Sequence, residues 1–288
     1  MQKAVREAIW RVVRRKARRC VTLTDGERIH NDMNIGKRLW MIGVACGLSL
    51  TSLTGEAKTK DRIMILAAHP DDLGPCAGFA LLTKDIFEFH VVDFTYGQLG
   101  LGQKGADDGS TQAIRTKEEE KACAMIGAKL HWLGGMDGSL HATPELCEKL
   151  RRLIDEVKPR AIITHWPADA HPDHVMTAAA TLKVLRTMNK TCDEDLELYF
   201  FDCVYQPRTF SAAHFVEVSA VKDARRELLR CYQCQNPEEQ IRMYEESNAV
   251  RAETSRIGAY RGKMYECYAD FGFVTSGRKT IFDEVPVK

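Results

Sequence analysis

The sequence has little net charge, and the charge it has is unevenly distributed. Its 41 Lys and Arg residues nearly balance 40 Asp and Glu residues, for a formal charge of +1. Residues 1–57 contain 11 of the basic and 5 of the acidic residues, which leaves 30 basic and 35 acidic side chains in the remainder. A slightly acidic body argues against a nucleic-acid partner.

Three further absences narrow the class of protein. No G-x-G-x-x-G follows the first apolar run, which argues against a plain nucleotide-binding α/β protein. The C-x-x-C at Cys231 and Cys234 has no second pair at zinc-ribbon spacing, so we assign it no function. No linker or internal repeat is visible after residue 57, which predicts one domain over residues 58–288.

Residues 1–57 have the pattern of an N-terminal extension that ends in a secretion signal. The apolar stretch Leu39–Leu50 follows basic residues and is too short to span a bilayer comfortably. Small residues at two positions of Thr54–Ala57 suit a signal peptidase, so we expect export to the periplasm or outside the cell, with no transmembrane span in the mature chain. Met33 would then be the true start, and residues 1–32 an over-extended gene start. A membrane-anchoring extension or a lipid anchor is the alternative.

The body alternates short apolar runs with amphipathic stretches, which predicts parallel strands with helices on both faces. The predicted strands are 62–68, 89–95, 130–133, 161–164, 196–203 and 215–219, and the predicted helices are 78–84, 111–126, 144–157, 175–188, 222–232 and 238–260. We therefore predict an α/β fold, a Rossmann-like three-layer sandwich with a mostly parallel sheet. In such sheets ligands bind beyond the carboxyl ends of the strands.

Two short runs of imidazole and carboxylate groups follow predicted strands. They are Ala68-His69-Pro70-Asp71-Asp72 and His171-Pro172-Asp173-His174. A hydrolytic zinc site needs three ligands of the His, Asp or Glu type, an open position for water and nearby groups that move protons. Because the carboxyl ends of parallel strands lie at one edge of the sheet, two distant runs can converge there. The sequence therefore predicts a metal-dependent amidohydrolase.

Spacing within each run indicates roles but leaves alternatives open. His69 and Asp72 are three residues apart and can coordinate one ion from a single turn, while Asp71 is placed to act as a general base. One histidine of the second run can complete the metal ligands while the other faces the substrate. Asp173 can hydrogen-bond an imidazole and favour its protonated form. A single His-Pro-Asp turn is more often a loop with a capping aspartate, so the prediction rests on the pair.

The body resembles the PIG-L/LmbE-type de-N-acetylases, which remove acetyl groups from amino sugars. The resemblance spans roughly Arg62 to Phe273 and rests on an ordered set of motifs. These are A-H-P-D-D after a strand, T-Y-G-Q-L-G from Thr95, R-T-K-E-E from Arg115, L-G-G-M-D-G from Leu133 and P-x-D-x-H-P-D-H from Pro167.

For the metal and the chemistry, the resemblance implies a set of five residues. Zn²⁺, or another divalent metal, would be held by His69, Asp72 and His174. Asp71 would be the general base, and His171 would stabilise the oxyanion or protonate the leaving amine. The expected substrate is a small N-acetylated sugar or glycoconjugate.

Three further residues are implied with supporting roles. Asp173 would orient His171, while Arg115 and Asp137 would bind the sugar. The alternative for Arg115 is an ion pair with Glu119, one helical turn later.

The sequence departs from the family pattern where many members have Glu after Asp-Asp and a Gly-Gly pair further on; it has Leu73 and Gly78-Phe79 there. A non-catalytic carbohydrate-binding relative, or a hydrolase of another amide bond, is therefore carried as the alternative function.

Overall fold

A computed structural model of the chain describes residues 59–100, 109–190, 196–203, 209–254, 263–271 and 279–286. The described residues all belong to one compact unit, Ala57–Lys288. The predicted N-terminal extension and secretion signal therefore lie outside the described residues. Within the described part of the chain, no helix is long and apolar enough to cross a membrane.

The described residues of this unit form a seven-stranded sheet. Its strands in chain order are β1 Asp61–Ala67, β2 Phe87–Thr95, β3 Lys129–Gly135, β4 Ala161–His165, β5 Glu197–Phe201, β6 His214–Glu217 and β7 Tyr265–Asp270. Their order across the sheet is β3-β2-β1-β4-β5-β7-β6. The strands from β3 to β5 are parallel, whereas β7 is antiparallel to both β5 and β6. The predicted α/β fold with a mostly parallel sheet is confirmed.

Six α-helices are described, at the positions where the sequence predicts them. They are α1 Ala77–Thr83, α2 Ser110–Ile126, α3 Pro144–Val157, α4 Pro172–Thr187, α5 Lys222–Leu229 and α6 Pro237–Thr254, with short 3₁₀ turns at Gly74–Cys76, Ser219–Val221, Gln233–Gln235 and Ile281–Glu284. Helix α4 begins three residues before the predicted 175, because Pro172 occupies its first position and His171 caps it.

Alternate residues of β1 enter two hydrophobic clusters, one on each face of the sheet. Ile63 and Ile65 pack with side chains of α1, α2 and α5. Met64 and Leu66 pack with side chains of α3 and α4. Burial on both faces explains why this strand reads as a continuous apolar run. The two clusters make the three layers of the predicted sandwich.

The sequence pattern does not predict β7, because a charged residue interrupts it. Glu266 is fully buried and accepts hydrogen bonds from the backbone nitrogens of Gly78 (2.7 Å) and Phe79 (2.8 Å) at the start of α1. Arg225 of α5 donates to the same carboxylate at 2.8 Å. A charge is tolerated in the core only when partners of this kind replace water, and these partners are distant in sequence.

Candidate metal centre and active site

Both predicted clusters lie at the carboxyl ends of β1 and β4, and side chains from both line one cavity. Its volume is about 500 Å³, within the range of small-molecule sites. The cavity is lined by every predicted site residue except Asp173: His69, Asp71, Asp72, Arg115, Asp137, His171 and His174. The structure thus brings together groups that are about a hundred residues apart in the chain.

The turn after β1 points the side chains of Asp71 and Asp72 in different directions. Asp71 has φ of +101°, a conformation that costs a non-glycine residue about 1–3 kcal/mol and often marks active sites. The turn is held by the backbone nitrogen of His69, which donates to Asp72 Oδ2 at 2.9 Å, and by that of Asp71, which donates to Glu119 Oε2 at 3.2 Å. As a result, Asp72 faces the imidazoles while Asp71 faces α2 and α6.

Asp72 is surrounded by three imidazoles. Its Oδ2 lies 3.3 Å from His69 Nδ1 and 3.3 Å from His165 Nε2, and its Oδ1 lies 3.4 Å from His174 Nε2. Burial raises the pKa of Asp72, but His174 and His165 outweigh burial and hold that pKa well below its usual value. Ligand atoms around a tetrahedral ion with bonds of about 2.0–2.1 Å lie about 3.3–3.4 Å apart. Asp72 thus lies at a ligand-like separation from His69 through Oδ2 and from His174 through Oδ1. The described groups whose ligand atoms lie within 4.8 Å of one another are Asp72, His165, His174 and Cys203; His69, His171 and His174; and His69, Asp137 and Asp173. His69, Asp72 and His174 are divided between these groups, so this ligand set stays a prediction.

Behind His174 lies Asp169, a residue to which the sequence analysis gives no role. Asp169 Oδ1 lies 3.2 Å from His174 Nδ1 and accepts a hydrogen bond from the backbone nitrogen of His171 at 2.8 Å. A carboxylate at one ring nitrogen of a metal-binding histidine orients the ring and directs the other nitrogen to the metal. The available signal was its place inside the second motif, two residues before His171.

The carboxylate of Asp173 does not make the predicted contact with the His171 ring. Its Oδ2 lies 3.2 Å from His69 Nε2 and accepts from the backbone nitrogen of Gly138 at 2.6 Å, while Oδ1 accepts from Leu140 at 3.1 Å. Successive helical residues point about 100° apart, so Asp173 in the first turn of α4 faces a different side from the capping residue. The Asp173 carboxylate thus contacts His69, and the orientation of His171 by Asp173 stays a prediction.

Asp137 also contacts the ring of His69, at the nitrogen that Asp173 contacts. Its Oδ1 lies 3.1 Å from His69 Nε2, and its Oδ2 accepts from the backbone nitrogen of Leu99 at 2.8 Å. Burial lowers the pKa of His69, but Asp137, Asp173 and Asp72 together raise it well above its usual value. The imidazole of His69 is thus held in place by three carboxylates.

His171 caps α4 with its own ring. Its Nδ1 accepts a hydrogen bond from the backbone nitrogen of Asp173 at 3.2 Å. A ring nitrogen that accepts carries no proton, so Nε2 carries the proton of the neutral ring. Burial, with His174 and His69, lowers the pKa of His171. The imidazole whose pKa Asp173 raises through a hydrogen bond is that of His69. His171 therefore reaches the cavity as a neutral N–H donor.

Asp71 is held at both carboxylate oxygens. Arg115 donates to Oδ1 at 2.5 Å and Gln240 of α6 donates to Oδ2 at 2.7 Å. Burial raises the pKa of Asp71 to about 6, although Arg115 lowers it. A carboxylate with a pKa near neutrality suits a general base. Gln240 is a site residue that the sequence analysis misses, because it lies outside the motifs.

Arg115 is buried and also donates to the carbonyl oxygens of Pro70 and Gly97. A Cβ at Gly100 would lie 2.0 Å from its guanidinium, so only glycine lets the loop pass this close. Glu119 instead accepts from the backbone of Asp71, so the alternative ion pair with Arg115 is not the arrangement observed.

Two more residues lie beside Asp72 but are not among the predicted metal ligands. His165, at the end of β4, is fully buried, stacks on His174 and accepts at Nε2 from the backbone nitrogen of Ala68 at 2.9 Å. Burial lowers the pKa of His165 to about 4, so its ring is neutral. Cys203, after β5, places Sγ 3.6 Å from Asp72 Oδ1. The position of His165 beside the second motif is a weak signal, and nothing in the pattern indicates Cys203.

Comparison with known proteins gives a consistent assignment. Residues 64–185 match the PIG-L family, described as GlcNAc-PI de-N-acetylase. A protein of Bacillus cereus named probable N-acetyl-alpha-D-glucosaminyl L-malate deacetylase 2 is 32% identical over 143 residues, which are 45% of this chain. The chain spans 63% of that relative's length, just under two thirds. A diacetylchitobiose deacetylase of Thermococcus kodakarensis is 26% identical over 219 residues, 70% of this chain and 78% of the relative.

The fold also occurs in an enzyme with a different reaction. The crystal structure of a 4-carboxy-2-hydroxymuconate hydratase from Pseudomonas putida has a TM-score of 0.65 at 17% identity and covers 76% of this chain and 100% of its own. That likeness shows the fold alone, and a fold does not decide a reaction. The segment matched at the level of sequence, in contrast, contains both His/Asp clusters and the motifs between them. Over residues 64–185 this chain matches the PIG-L/LmbE-type de-N-acetylase family.

Proposed function

We propose that this protein is a metal-dependent hydrolase that removes the acetyl group from an N-acetylated amino sugar or glycoconjugate. The observation that carries the proposal is the arrangement around Asp71 and Asp72. Asp72 lies at a ligand-like separation from His69 through Oδ2 and from His174 through Oδ1, and Asp71 lines the same cavity with a pKa of about 6. The names of the malate and chitobiose deacetylases support the substrate class.

We propose Zn²⁺ as the ion. Two imidazoles and one carboxylate are a ligand set typical of catalytic zinc, although other divalent ions accept it. When bound by His69, Asp72 and His174, a divalent ion supplies Lewis-acid chemistry, polarising a carbonyl oxygen and lowering the pKa of water.

The side chains of the cavity supply the proton transfers. Asp71 accepts a proton from the attacking water at a carboxylate oxygen, while Arg115 and Gln240 keep that carboxylate aimed into the cavity. His171 donates from Nε2 to the carbonyl oxygen as negative charge develops there, which is its role as oxyanion stabiliser. The proton held by Asp71 then goes to the nitrogen as the C–N bond breaks, and acetate and a free amine leave.

Sugar recognition is assigned to Asp137 and Arg115. Asp137 lines the cavity, and the hydrogen bond from Leu99 holds its carboxylate in place. A fixed carboxylate accepts hydrogen bonds from sugar hydroxyl groups, which supports the substrate-binding role. Arg115 donates through its two terminal nitrogens to Asp71 and to backbone carbonyl oxygens, so we propose that it positions the base in addition to bordering the sugar.

The test combines metal content with acetate release. The purified protein is assayed on a panel of N-acetylated sugars beside Asp71→Asn, with the exposed Asp85→Asn as the matched control. We expect one zinc per chain in all three proteins, and acetate from the wild type and the control only. Metal without acetate from any sugar would move the proposal to another amide bond, and absence of metal binding would overturn it.

We also propose that the mature protein is exported, because the N-terminal pattern combines a basic segment, a short apolar run and a cleavage site. Cell fractionation with mass measurement of the exported chain should find an N-terminus at Lys58. Retention of an intact chain in the cytoplasm would contradict the proposal.

A further inference from the structure

A second set of ligand atoms surrounds the oxygen of Asp72 that faces away from His69. Asp72 Oδ1 lies 3.4 Å from His174 Nε2 and 3.6 Å from Cys203 Sγ. All three side chains are buried. Together with a ring nitrogen of His165, their ligand atoms lie within 4.8 Å of one another. A thiol in this place adds sulfur to a site whose expected ligands are nitrogen and oxygen.

The separations are those of atoms that share an ion. With metal–sulfur bonds of about 2.3 Å and metal–oxygen bonds of about 2.0–2.2 Å, sulfur and oxygen on a tetrahedral ion lie about 3.5–3.7 Å apart. The observed 3.6 Å between Cys203 Sγ and Asp72 Oδ1 is within that range. The 3.4 Å between Asp72 and His174 fits the same ion.

The ring of His165 lies beside the sulfur of Cys203. Its Nε2 accepts from the backbone nitrogen of Ala68 at 2.9 Å, so the neutral ring carries its proton on Nδ1. That Nδ1 lies 3.6 Å from Cys203 Sγ. The Cys203 thiol donates to Asp72 Oδ1, and a bound ion would take the place of that proton, since cysteine binds metals as the thiolate. His165 thus orients and supports the sulfur instead of serving as a ligand.

We propose that Cys203, Asp72 and His174 form an alternative metal position that selects thiophilic divalent cations such as Cd²⁺ over hard cations such as Mn²⁺. The inference rests on the metal site of the proposed function. His174 Nε2 has one lone pair, so an ion at this position and an ion held by His69, Asp72 and His174 exclude each other. Thiophilic ions in excess should therefore inhibit by occupying the Cys203 side.

The test uses Co²⁺ as a spectroscopic probe of the full-length, metal-depleted protein. Visible d–d bands report that Co²⁺ is bound, and a thiolate-to-Co²⁺ charge-transfer band in the near ultraviolet reports sulfur ligation. We expect the ultraviolet band in the wild type, its loss in Cys203→Ser and its retention in Cys123→Ser. Cys123 is the matched control because its thiol is also buried beside a carboxylate, Glu119, at 3.5 Å.

Metal affinities provide a second measurement. Cys203→Ser should raise the Cd²⁺ dissociation constant by about tenfold or more, while that of Mn²⁺ stays within about twofold. Should the variant fail to fold, the ¹¹³Cd resonance of the wild-type protein still decides, because a thiolate ligand moves it strongly downfield.

The outcomes separate the two proposals. Bound Co²⁺ without the ultraviolet band, a band that persists in Cys203→Ser, or a ¹¹³Cd resonance typical of nitrogen and oxygen ligands overturns the role of Cys203 and leaves the proposed function standing. Failure of the protein to bind any divalent ion overturns the metal site as a whole.

Discussion

Replacing Gln240 by Met tests whether the side chains that hold Asp71 control the proposed base. Met has a similar length but no N–H group, so the variant removes the 2.7 Å hydrogen bond to Asp71 Oδ2. Oε1 of Gln240 is buried and has no hydrogen-bond partner among the residues that the structure describes, and within these residues the substitution removes no other hydrogen bond of this side chain. Arg115 still donates to Oδ1, so Asp71 is loosened but not released.

The magnitude follows from the charge on the acceptor. A hydrogen bond to an ionised group is worth about 1.5–3 kcal/mol, which corresponds to a loss of about 10- to 150-fold in turnover if all of it is needed in the transition state. Because the bond from Gln240 lowers the pKa of Asp71, its removal should raise that pKa above about 6. The base must be ionised, so the acidic limb of the rate profile moves to higher pH.

The assay is acetate release as a function of pH, with the sugar of the panel that gives the highest rate. Gln235→Met is the matched control, because Gln235 lines the same cavity but donates to the carbonyl oxygen of Gly100 at 2.7 Å instead of Asp71. It should leave the acidic limb in place. A Gln240→Met enzyme with turnover within about twofold of the wild type and an unmoved limb would refute the reasoning.

The other predictions concern catalysis, the core and pH. His171→Ala should lower turnover by about two orders of magnitude or more with metal still bound, because an oxyanion donor contributes about 3 kcal/mol. Arg225→Ala should lower the free energy of unfolding in urea by about 3–5 kcal/mol, because it leaves Glu266 buried without its cation. Burial lowers the pKa of both His90 and His131, which lie 3.0 Å apart, so the unfolded chain binds more protons near pH 6. Stability should therefore fall as pH drops below about 6.5, and less so in His131→Gln.

Each of these predictions has a matched control. His174→Ala should lose metal as well as activity, and metal loss in His171→Ala would contradict the oxyanion role. Arg226→Ala removes a half-exposed ion pair with Glu245 and should lower the free energy of unfolding by no more than about 1 kcal/mol. A loss of the same size in Arg225→Ala would contradict the role of the buried pair with Glu266. His141 is exposed, so His141→Gln should leave the pH dependence of stability unchanged. The same unchanged pH dependence in His131→Gln would contradict the role of the His90–His131 pair.

Local signals account for the elements that the sequence predicts well. Helix α3 begins at Pro144, as predicted, because Thr143 accepts from the backbone nitrogen of Leu146 and proline suits the first helical position. β1 is predicted because both of its faces are buried. β7 is missed because Glu266, a charged residue near its start, is stabilised by Arg225 and by α1, which a local pattern does not reveal.

The sequence by itself predicted where the candidate metal ligands and the base lie, because His69, Asp71 and Asp72 lie within one turn and the parallel fold brings that turn to the same edge as His171 and His174. The choice of His174 as the third ligand came from the family resemblance. Only the tertiary structure decided which groups surround them. Asp173 faces His69 instead of His171, and Gln240 and Cys203 reach Asp71 and Asp72 from elements far along the chain. Such contacts depend on how separate elements pack, and packing between distant segments leaves no periodic or spacing signal in a single sequence.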